Sequence, residues 1–344
     1  MMNDIDIILD DFVSEFKLRL LQEENSEKVF FLDYAWRWFE LSKKSKSLNT
    51  QFMYKNIISV HLSFLSGVPL SDIRQQHLQE AINRNIEHPR TCELIFITFK
   101  QIIQAAGRDH LISKNVIDDI FLGVSLPANP KKEKRPLSDR ERQAVKNVKL
   151  PAMKECFLLL LYYTGIRKGE ALALTGSDFD FDNLYLSISK NLVFLSNSGS
   201  FVKNSPKSSN GFRKIPIPAA CAERIKPYVL SCGSNFLFHG QGAVLATKSF
   251  YRRFWDSIIF NLNVACGYNP NAKKNRTEKP IQGLTAHIFR HDYCTQLCYQ
   301  VPDISTKMIA QLLGDSEKMV IEVYSHIVLE KEKVSGSIEK ARTL

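Results

Sequence analysis

The chain has 344 residues and a formal net charge of +10, from 46 Lys and Arg against 36 Asp and Glu. This length supports about two or three domains with cores of their own, which excludes a disordered tail protein, and the basic balance favours a polyanionic partner. The longest apolar run, from Cys156 to Tyr163, has eight residues, against the roughly 20 that a membrane-spanning helix needs. A membrane protein is therefore excluded. The acidic opening around Asp4 and Asp6 fits neither a secretory signal nor a transit peptide, so we expect a cytoplasmic protein.

Residues 1–26 form an acidic leader, which we expect to pack locally as a short helix and not to grip phosphates. The domain that follows, residues 27–125, has apolar side chains recurring at intervals of three and four, beginning with FFLDYAWRWFEL. This period predicts four or five helices in a small bundle. The segment Gly67–Pro69 breaks the second helix, and the third is predicted from Arg74 to Ile86.

An interdomain linker is predicted over residues 126–137, where LPANPKKEKRP combines three prolines and four basic residues with little apolar content. Its charge suggests that it lies on a negative surface. The basic residues are Lys131, Lys132, Lys134 and Arg135.

A second domain, residues 138–327, begins with a capping box of Ser138 and Glu141 and continues into an apolar helix from Met153 to Leu174. Short apolar segments separated by Asn, Ser and Gly turns then predict a small antiparallel sheet of Leu184–Ile188, Leu192–Leu195 and Arg213–Ile217. Helical periodicity returns in Ala219–Leu230, Thr247–Val264, Thr285–Tyr299, Ser305–Leu313 and Ser316–Ile327, with a last amphipathic segment from Leu329 to about Ala341. The predicted fold is mainly α with a small antiparallel β-sheet, a helical domain followed by an α+β domain.

Seven cysteines are scattered along the chain without a C-x-x-C pair, so neither a disulfide framework nor a zinc module is predicted. His291, Cys294 and Cys298 share one face of a predicted helix, but buried packing explains such a stripe better than a metal does. We therefore expect no metal site.

Four polar islands of the second domain have an ordinary interpretation when each is taken alone. Arg167 and Glu170 fit a surface salt bridge, Lys207 fits a solvated turn, and Tyr324 fits packing at the rim of a core. The remaining island, HIFRH, places His287, Arg290 and His291 on one helix face, where three such groups are hard to bury without an anionic ligand.

Taken together, the four islands follow the chain order Arg167, Lys207, His287 with Arg290, and Tyr324 after the LLG motif. In this order they resemble the tyrosine recombinase family, also called the phage integrase family. The motifs that carry the resemblance are TGIRKGEALAL, PKSSNGFRKIPIP, HIFRH and LLGDSEKMVIEVYSHI. The resemblance covers residues 138–344 closely, and residues 27–110 resemble more loosely the helical core-binding domain of the family. It implies a helical core DNA-binding domain over residues 27–125 and a catalytic domain over residues 138–327.

The resemblance implies that Tyr324 attacks the scissile phosphate of DNA to form a 3′-phosphotyrosine, without metal or cofactor. Arg167 and Arg290 would clamp the nonbridging oxygens, a task that suits the planar guanidinium fork. Lys207 would protonate the leaving 5′-hydroxyl, with Lys203 as the alternative acid, and His287 would hydrogen-bond the phosphate or assist proton transfer.

Two acidic residues have supporting roles in this scheme. Glu170 is expected to orient Arg167. Asp315 departs from the family, in which a His or Trp commonly follows the glycine of the LLG motif; an ionised Asp would repel the phosphate, so we expect it to orient Arg290 or a water molecule, and its place among the catalytic residues is in doubt.

The partners implied are double-stranded DNA attachment sites and a homotetramer on DNA, with a DNA-bending accessory protein or directionality factor as a further candidate and no membrane. Residues 328–344 resemble the tail that docks on a neighbouring protomer. The four basic linker residues, together with Lys203 and Arg213, are the expected DNA-binding residues.

The sequence thus predicts a site-specific DNA recombinase, the integrase of a phage or other mobile element, acting on the nucleoid in a bacterial cytoplasm. Two alternatives stay open: a catalytically impaired DNA-binding protein of the same fold, and a nicking and closing enzyme that resembles a type IB topoisomerase.

Overall fold

The computed structural model describes residues 28–130, 135–195, 199–204, 211–242, 244–270 and 279–331, with the side chains of 326 and 328–331 excepted. Several predictions fall outside the described residues: the helix of the acidic leader, most of the tail, and the positions of Lys131, Lys132, Lys134 and Lys207. The described part divides into two compact units, an N-terminal unit that ends within the predicted linker and also includes Leu195, and a C-terminal unit formed by the rest.

The N-terminal unit is a bundle of α-helices around an aromatic core. Its helices are α1 (Phe31–Lys43), α2 (Leu48–Asn56), α3 (Gln75–Asn83), α4 (Pro89–Arg108) and α5 (Lys114–Phe121). Phe31 of α1 stacks on Phe99 of α4 at 5.1 Å between ring centroids, and both side chains are fully buried. The periodic apolar residues of α1 and α4 thus face one core, as the sequence predicts. The predicted second helix is shorter than expected, because a π turn at Ile57–His61 and a 3-10 turn at Ser63–Leu65 follow α2.

The C-terminal unit contains the remaining helices. They are α6 (Asp139–Asn147), α7 (Ala152–Thr164), α8 (Lys168–Leu172), α9 (Ala219–Cys232), α10 (Lys248–Ala265), α11 (Ala286–Cys298), α12 (Thr306–Leu313) and α13 (Glu317–Lys331). The prediction of one helix from Met153 to Leu174 is wrong. Gly165 has φ +59° and ends α7 in the left-handed conformation, and α8 starts three residues later.

The strands of this unit form two small sheets instead of the single sheet that was predicted. β1 (Phe179–Asp180), β2 (Tyr185–Ile188) and β5 (Arg213–Pro216) make an antiparallel sheet in the order β1-β2-β5. β3 (Asn191–Leu195) pairs instead with β4 (Gly199–Lys203) in a separate two-stranded sheet. β4 was not predicted, because its five residues, GSFVK, contain only two apolar side chains and these are adjacent, so they show no alternation.

Two apolar clusters organise the C-terminal unit. The larger has Phe157 of α7 at its centre, in edge contact with Phe238 and with Phe254 and Trp255 of α10. The smaller lies where α11, α12 and α13 pack together and includes Cys294, Ile309 and Val320. Within the described residues, no helix combines the length and the apolar character that a membrane span requires.

Candidate active site

Arg290 lies at the centre of a group of charged side chains in the C-terminal unit. It projects from α11 and keeps only 4% of its side chain exposed. Its Nη1 donates to the carbonyl of Gly165 at 3.1 Å, and its Nη2 donates to the carbonyl of Leu313 at 2.6 Å. A buried guanidinium needs such acceptors, and they fix its plane between the end of α7 and the end of α12.

Arg167 approaches the same place from the turn between α7 and α8. Its backbone N–H donates to Glu170 Oε2 at 2.9 Å, and its Nη1 donates to Glu170 Oε1 at 3.1 Å. The bond from the backbone N–H caps the start of α8, with Glu170 in the first turn accepting from the residue that precedes the helix. Nη2 donates to the carbonyl of Gly314 at 3.0 Å, and the side chain is 38% exposed. The i, i+3 spacing therefore makes a positioned arginine with one face toward solvent.

Asp315 joins the two arginines. Its Oδ2 accepts from Arg167 Nη2 at 3.0 Å and from Arg290 Nη2 at 2.9 Å, so two guanidinium groups converge on one oxygen atom. The structure therefore brings together Arg167, Arg290 and Asp315, three of the predicted site residues. Asp315 contacts both arginines, where the sequence led us to expect contact with Arg290 or a water molecule.

Glu170 is shared between Arg167 and a third arginine, Arg213 of β5. Arg213 donates to Glu170 Oε2 from Nη2 at 2.7 Å and to Oε1 from Nη1 at 3.2 Å, and its Nε donates to the carbonyl of Leu312 at 2.7 Å. The predicted DNA contact of Arg213 does not agree with this geometry, because the side chain is 2% exposed and its nitrogens bind protein acceptors. Arg213 therefore holds Glu170 in place.

The C-terminal end of α12 is the common support of all three arginines. Gly314 adopts φ +63° and ends the helix, which leaves the last carbonyl groups without partners inside the helix. The carbonyls of three successive residues, Leu312, Leu313 and Gly314, accept from Arg213, Arg290 and Arg167 respectively. The negative end of the helix dipole also favours cations here. The backbone of α12 thus sets the spacing of the three guanidinium groups, a feature that no side-chain motif reveals.

The electrostatics of the cluster keep it cationic. Three guanidinium groups and two carboxylates leave one net positive charge. Burial, together with the charge of Arg167, lowers the pKa of Arg290 to about 10, which still leaves it protonated at neutral pH. Burial opposes ionisation of Asp315 and Glu170, yet the pKa of each is lowered overall by hydrogen bonds and charge from Arg290 and Arg213 respectively, with Arg167 adding to both.

The predicted histidine lies one turn before Arg290. His287 is exposed on α11, and its ring centroid is 4.5 Å from that of His291 at an interplanar angle of 84°. The two imidazoles therefore share one face of α11, as the HIFRH spacing predicts.

Tyr324 lies on α13, the helix that packs against both α11 and α12. Its side chain is half-buried against the smaller apolar cluster, which contains Cys294 and Ile309. The structure thus places it on a helix next to the two that carry and support Arg290. Three residues, Gly314 to Ser316, connect the end of α12 to α13.

Besides Arg213, two of the expected DNA-binding residues, Lys203 and Arg135, lie in the described part of the chain. Lys203 is exposed at the end of β4. Arg135 makes a two-bond ion pair with Glu141, at 2.6 and 2.7 Å, and remains partly exposed. Over the residues that the structure describes, no group of three His, Cys, Asp or Glu side chains is arranged to hold a metal ion.

The chain is similar in sequence to known proteins. The model of the phage integrase family matches residues 137–330. The tyrosine recombinase XerC-like protein of Caldanaerobacter subterraneus subsp. tengcongensis is 23% identical over 325 residues, which cover 87% of this chain and 79% of the relative. The ICEBs1 integrase of Bacillus subtilis is 24% identical over 270 residues, which cover 77% and 67% respectively.

Solved structures share the fold. The Tn1549 transposon integrase in complex with circular intermediate DNA superposes with a TM-score of 0.68 at 20% identity, covering 92% of this chain and 100% of its own. A lambda integrase tetramer bound to a Holliday junction gives 0.60 at 18% identity, covering 94% and 87%. The predicted fold class, mainly α with small antiparallel sheets, is confirmed.

Proposed function

The chain belongs to the phage integrase family of site-specific DNA recombinases, and from that premise we propose that it cleaves and rejoins DNA through a 3′-phosphotyrosine on Tyr324. The observation that carries the proposal is the convergence of Arg167 Nη2 and Arg290 Nη2 on one oxygen atom, at 3.0 and 2.9 Å. Two guanidinium groups at this spacing suit a nonbridging phosphate oxygen, whose negative charge grows in the transition state.

Cleavage is a transfer of the phosphoryl group from one oxygen to another. The phenolic oxygen of Tyr324 forms a bond to phosphorus while the bond from phosphorus to the 5′ oxygen breaks. Lys207 gives a proton to the departing 5′ oxygen, and His287 accepts the proton of the phenol. The phosphodiester bond energy is kept in the tyrosyl ester, so a different 5′-hydroxyl can reverse the step and rejoin the strands.

Recombination needs two duplexes and a protomer for each cleaved strand. We propose a homotetramer on double-stranded attachment sites, with residues 27–125 and 138–327 as the core-binding and catalytic domains and residues 328–344 exchanged between protomers. The likeness to the DNA-bound Tn1549 and lambda integrases supports this proposal. Contacts with the DNA backbone are assigned to Lys131, Lys132, Lys134, Arg135 and Lys203, which would set affinity and its salt dependence.

A nicked suicide duplex that contains DNA flanking the gene tests the proposal. Cleavage near the nick releases a short fragment, so the covalent protein–DNA complex accumulates and is measured on a denaturing gel. Wild type should become linked, and Tyr324→Phe should not. Tyr185→Phe, which removes a phenolic hydroxyl from an exposed residue of β2, serves as the matched control and should link normally.

The outcomes separate the competing functions. Linkage by Tyr324→Phe would show that another residue is the nucleophile. Absence of linkage in wild type, with DNA binding intact, would favour a catalytically impaired DNA-binding protein. Relaxation of supercoiled DNA by single protomers, without strand exchange, would favour the topoisomerase-like alternative.

A further inference from the structure

We propose that Asp315 is an internal competitor of the scissile phosphate, whose carboxylate takes the place between Arg167 and Arg290 that a phosphate oxygen must occupy for cleavage. The inference rests on the proposed function and concerns the same site. It assigns to Asp315 a role that slows cleavage, in a position where the family pattern carries a His or Trp that can donate a hydrogen bond.

The geometry of Oδ2 is the first support. This oxygen accepts from Arg167 and Arg290 at 3.0 and 2.9 Å, within the range of charge-assisted hydrogen bonds. A carboxylate oxygen and a nonbridging phosphate oxygen are equivalent acceptors for a guanidinium group. Asp315 is 23% exposed whereas Arg290 is 4% exposed, so within this pair the carboxylate is the group that meets solvent.

The arginines do not depend on Asp315 for their positions. Arg290 is also bound to the carbonyls of Gly165 and Leu313, and Arg167 is also bound to Glu170 and to the carbonyl of Gly314. Removing the carboxylate of Asp315 therefore leaves each guanidinium with two other anchors. If Asp315 only positioned the arginines, it would be redundant here. A competitor, in contrast, would oppose the binding of any anion that approached the two arginines.

The negative charge of Asp315 also opposes the phosphate. Arg290 and Arg167 keep Asp315 ionised by lowering its pKa against the opposing effect of burial, and the backbone N–H of Ser316 donates to its Oδ1 at 3.2 Å. A phosphodiester also carries a negative charge, and two anions cannot share the same pair of donors without repulsion. The carboxylate must therefore withdraw before the phosphate is clamped, and the cost of that withdrawal is added to the barrier of cleavage.

The experiment compares Asp315→Asn with wild type on the nicked suicide duplex, at saturating DNA and in single turnover. The amide removes the negative charge at nearly unchanged size, so we expect covalent linkage to be faster by about tenfold or more, since tenfold corresponds to about 1.4 kcal/mol of barrier. Asp303→Asn is the matched control, because it makes the same change of net charge at an exposed residue outside the cluster and should leave the rate unchanged.

A second measurement distinguishes altered anion binding from a loss of stability in the variant. Inorganic sulfate, used as the probe anion, should raise the melting temperature of Asp315→Asn at lower concentrations than it does for wild type and Asp303→Asn. Slower linkage by Asp315→Asn, or an equal response of all three proteins to sulfate, would overturn the competitor role while leaving the recombinase mechanism intact. Absence of linkage by wild type would overturn both.

Discussion

Replacing Gly165 by alanine tests whether the turn after α7 holds the arginine cluster together. The residue has φ +59°, and an L side chain in this conformation costs about 1–2 kcal/mol. A Cβ built on Gly165 lies 2.6 Å from Cδ1, 2.8 Å from Cγ and 2.9 Å from Cβ of Tyr293, so the packed side chain and its helix must shift. Such overpacking adds about 1–3 kcal/mol. We therefore expect the free energy of unfolding to fall by about 2–5 kcal/mol.

Urea unfolding followed by tryptophan fluorescence measures this loss. Gly283→Ala is the matched control, because Gly283 has φ +67° in the same unit but no atom within 4 Å of the place that a Cβ would take, so only the backbone cost applies. Since the carbonyl of Gly165 accepts from Arg290, we also expect Gly165→Ala to link to DNA more slowly. If the two alanine variants lost equal stability, the contact with Tyr293 would not constrain the turn and the reasoning would be refuted.

The other predictions concern the buried carboxylate and the predicted acid. Glu170→Gln should destabilise the protein by about 3–5 kcal/mol in urea, because it leaves buried Arg213 without its counter-ion; a loss under about 1 kcal/mol, as for an exposed pair, would contradict this. Folding lowers the pKa of Glu170, so its contribution to the free energy of unfolding is present above the ordinary carboxyl pKa of about 4.3 and is lost as pH falls through the lower folded pKa. The unfolding free energy of wild type should therefore decline with acid more steeply than that of Glu170→Gln. Parallel curves for the two proteins would argue against this. Lys207→Ala should slow linkage on an ordinary duplex and much less on one with a 5′-bridging sulfur, whose thiolate leaves without an acid. Lys203→Ala, which removes the alternative acid, is the matched variant. Equal losses of Lys207→Ala on both substrates would remove Lys207 from the acid role.

The sequence predicted those parts of the site that depend on side-chain type and spacing. The i, i+3 pairing of Arg167 with Glu170 and the shared face of His287 and His291 follow directly from helical geometry. The motif order also led to the family and to a mainly α fold with small antiparallel sheets. The separate two-stranded sheet was missed because β4 carries too few apolar residues to show a strand period.

The rest could not be predicted, for physical reasons. Support of the arginines by α12 comes from backbone carbonyls, which every residue possesses, so no residue type marks it. Arg213 was expected to bind DNA, whereas burial with Glu170 decides its position, and the sequence does not show which carboxylate a basic residue meets in the fold. The helix was predicted to continue to Leu174 because apolar residues return after Gly165, and Ile166, Leu172 and Leu174 are indeed as buried as the residues of α7. Only the conformation of Gly165 ends the helix there.

The short connection between α12 and α13 couples two tasks of the molecule. Only three residues, Gly314 to Ser316, separate the helix end that grips the guanidinium groups from the helix that bears Tyr324. Any movement of α13 relative to α12 must therefore occur at this segment, which is hydrogen-bonded to Arg167 and Arg290. The helix that carries Tyr324 and the helix end that binds the arginines therefore share one connection, and we expect the insertion of a single residue there to displace both Tyr324 and the arginines.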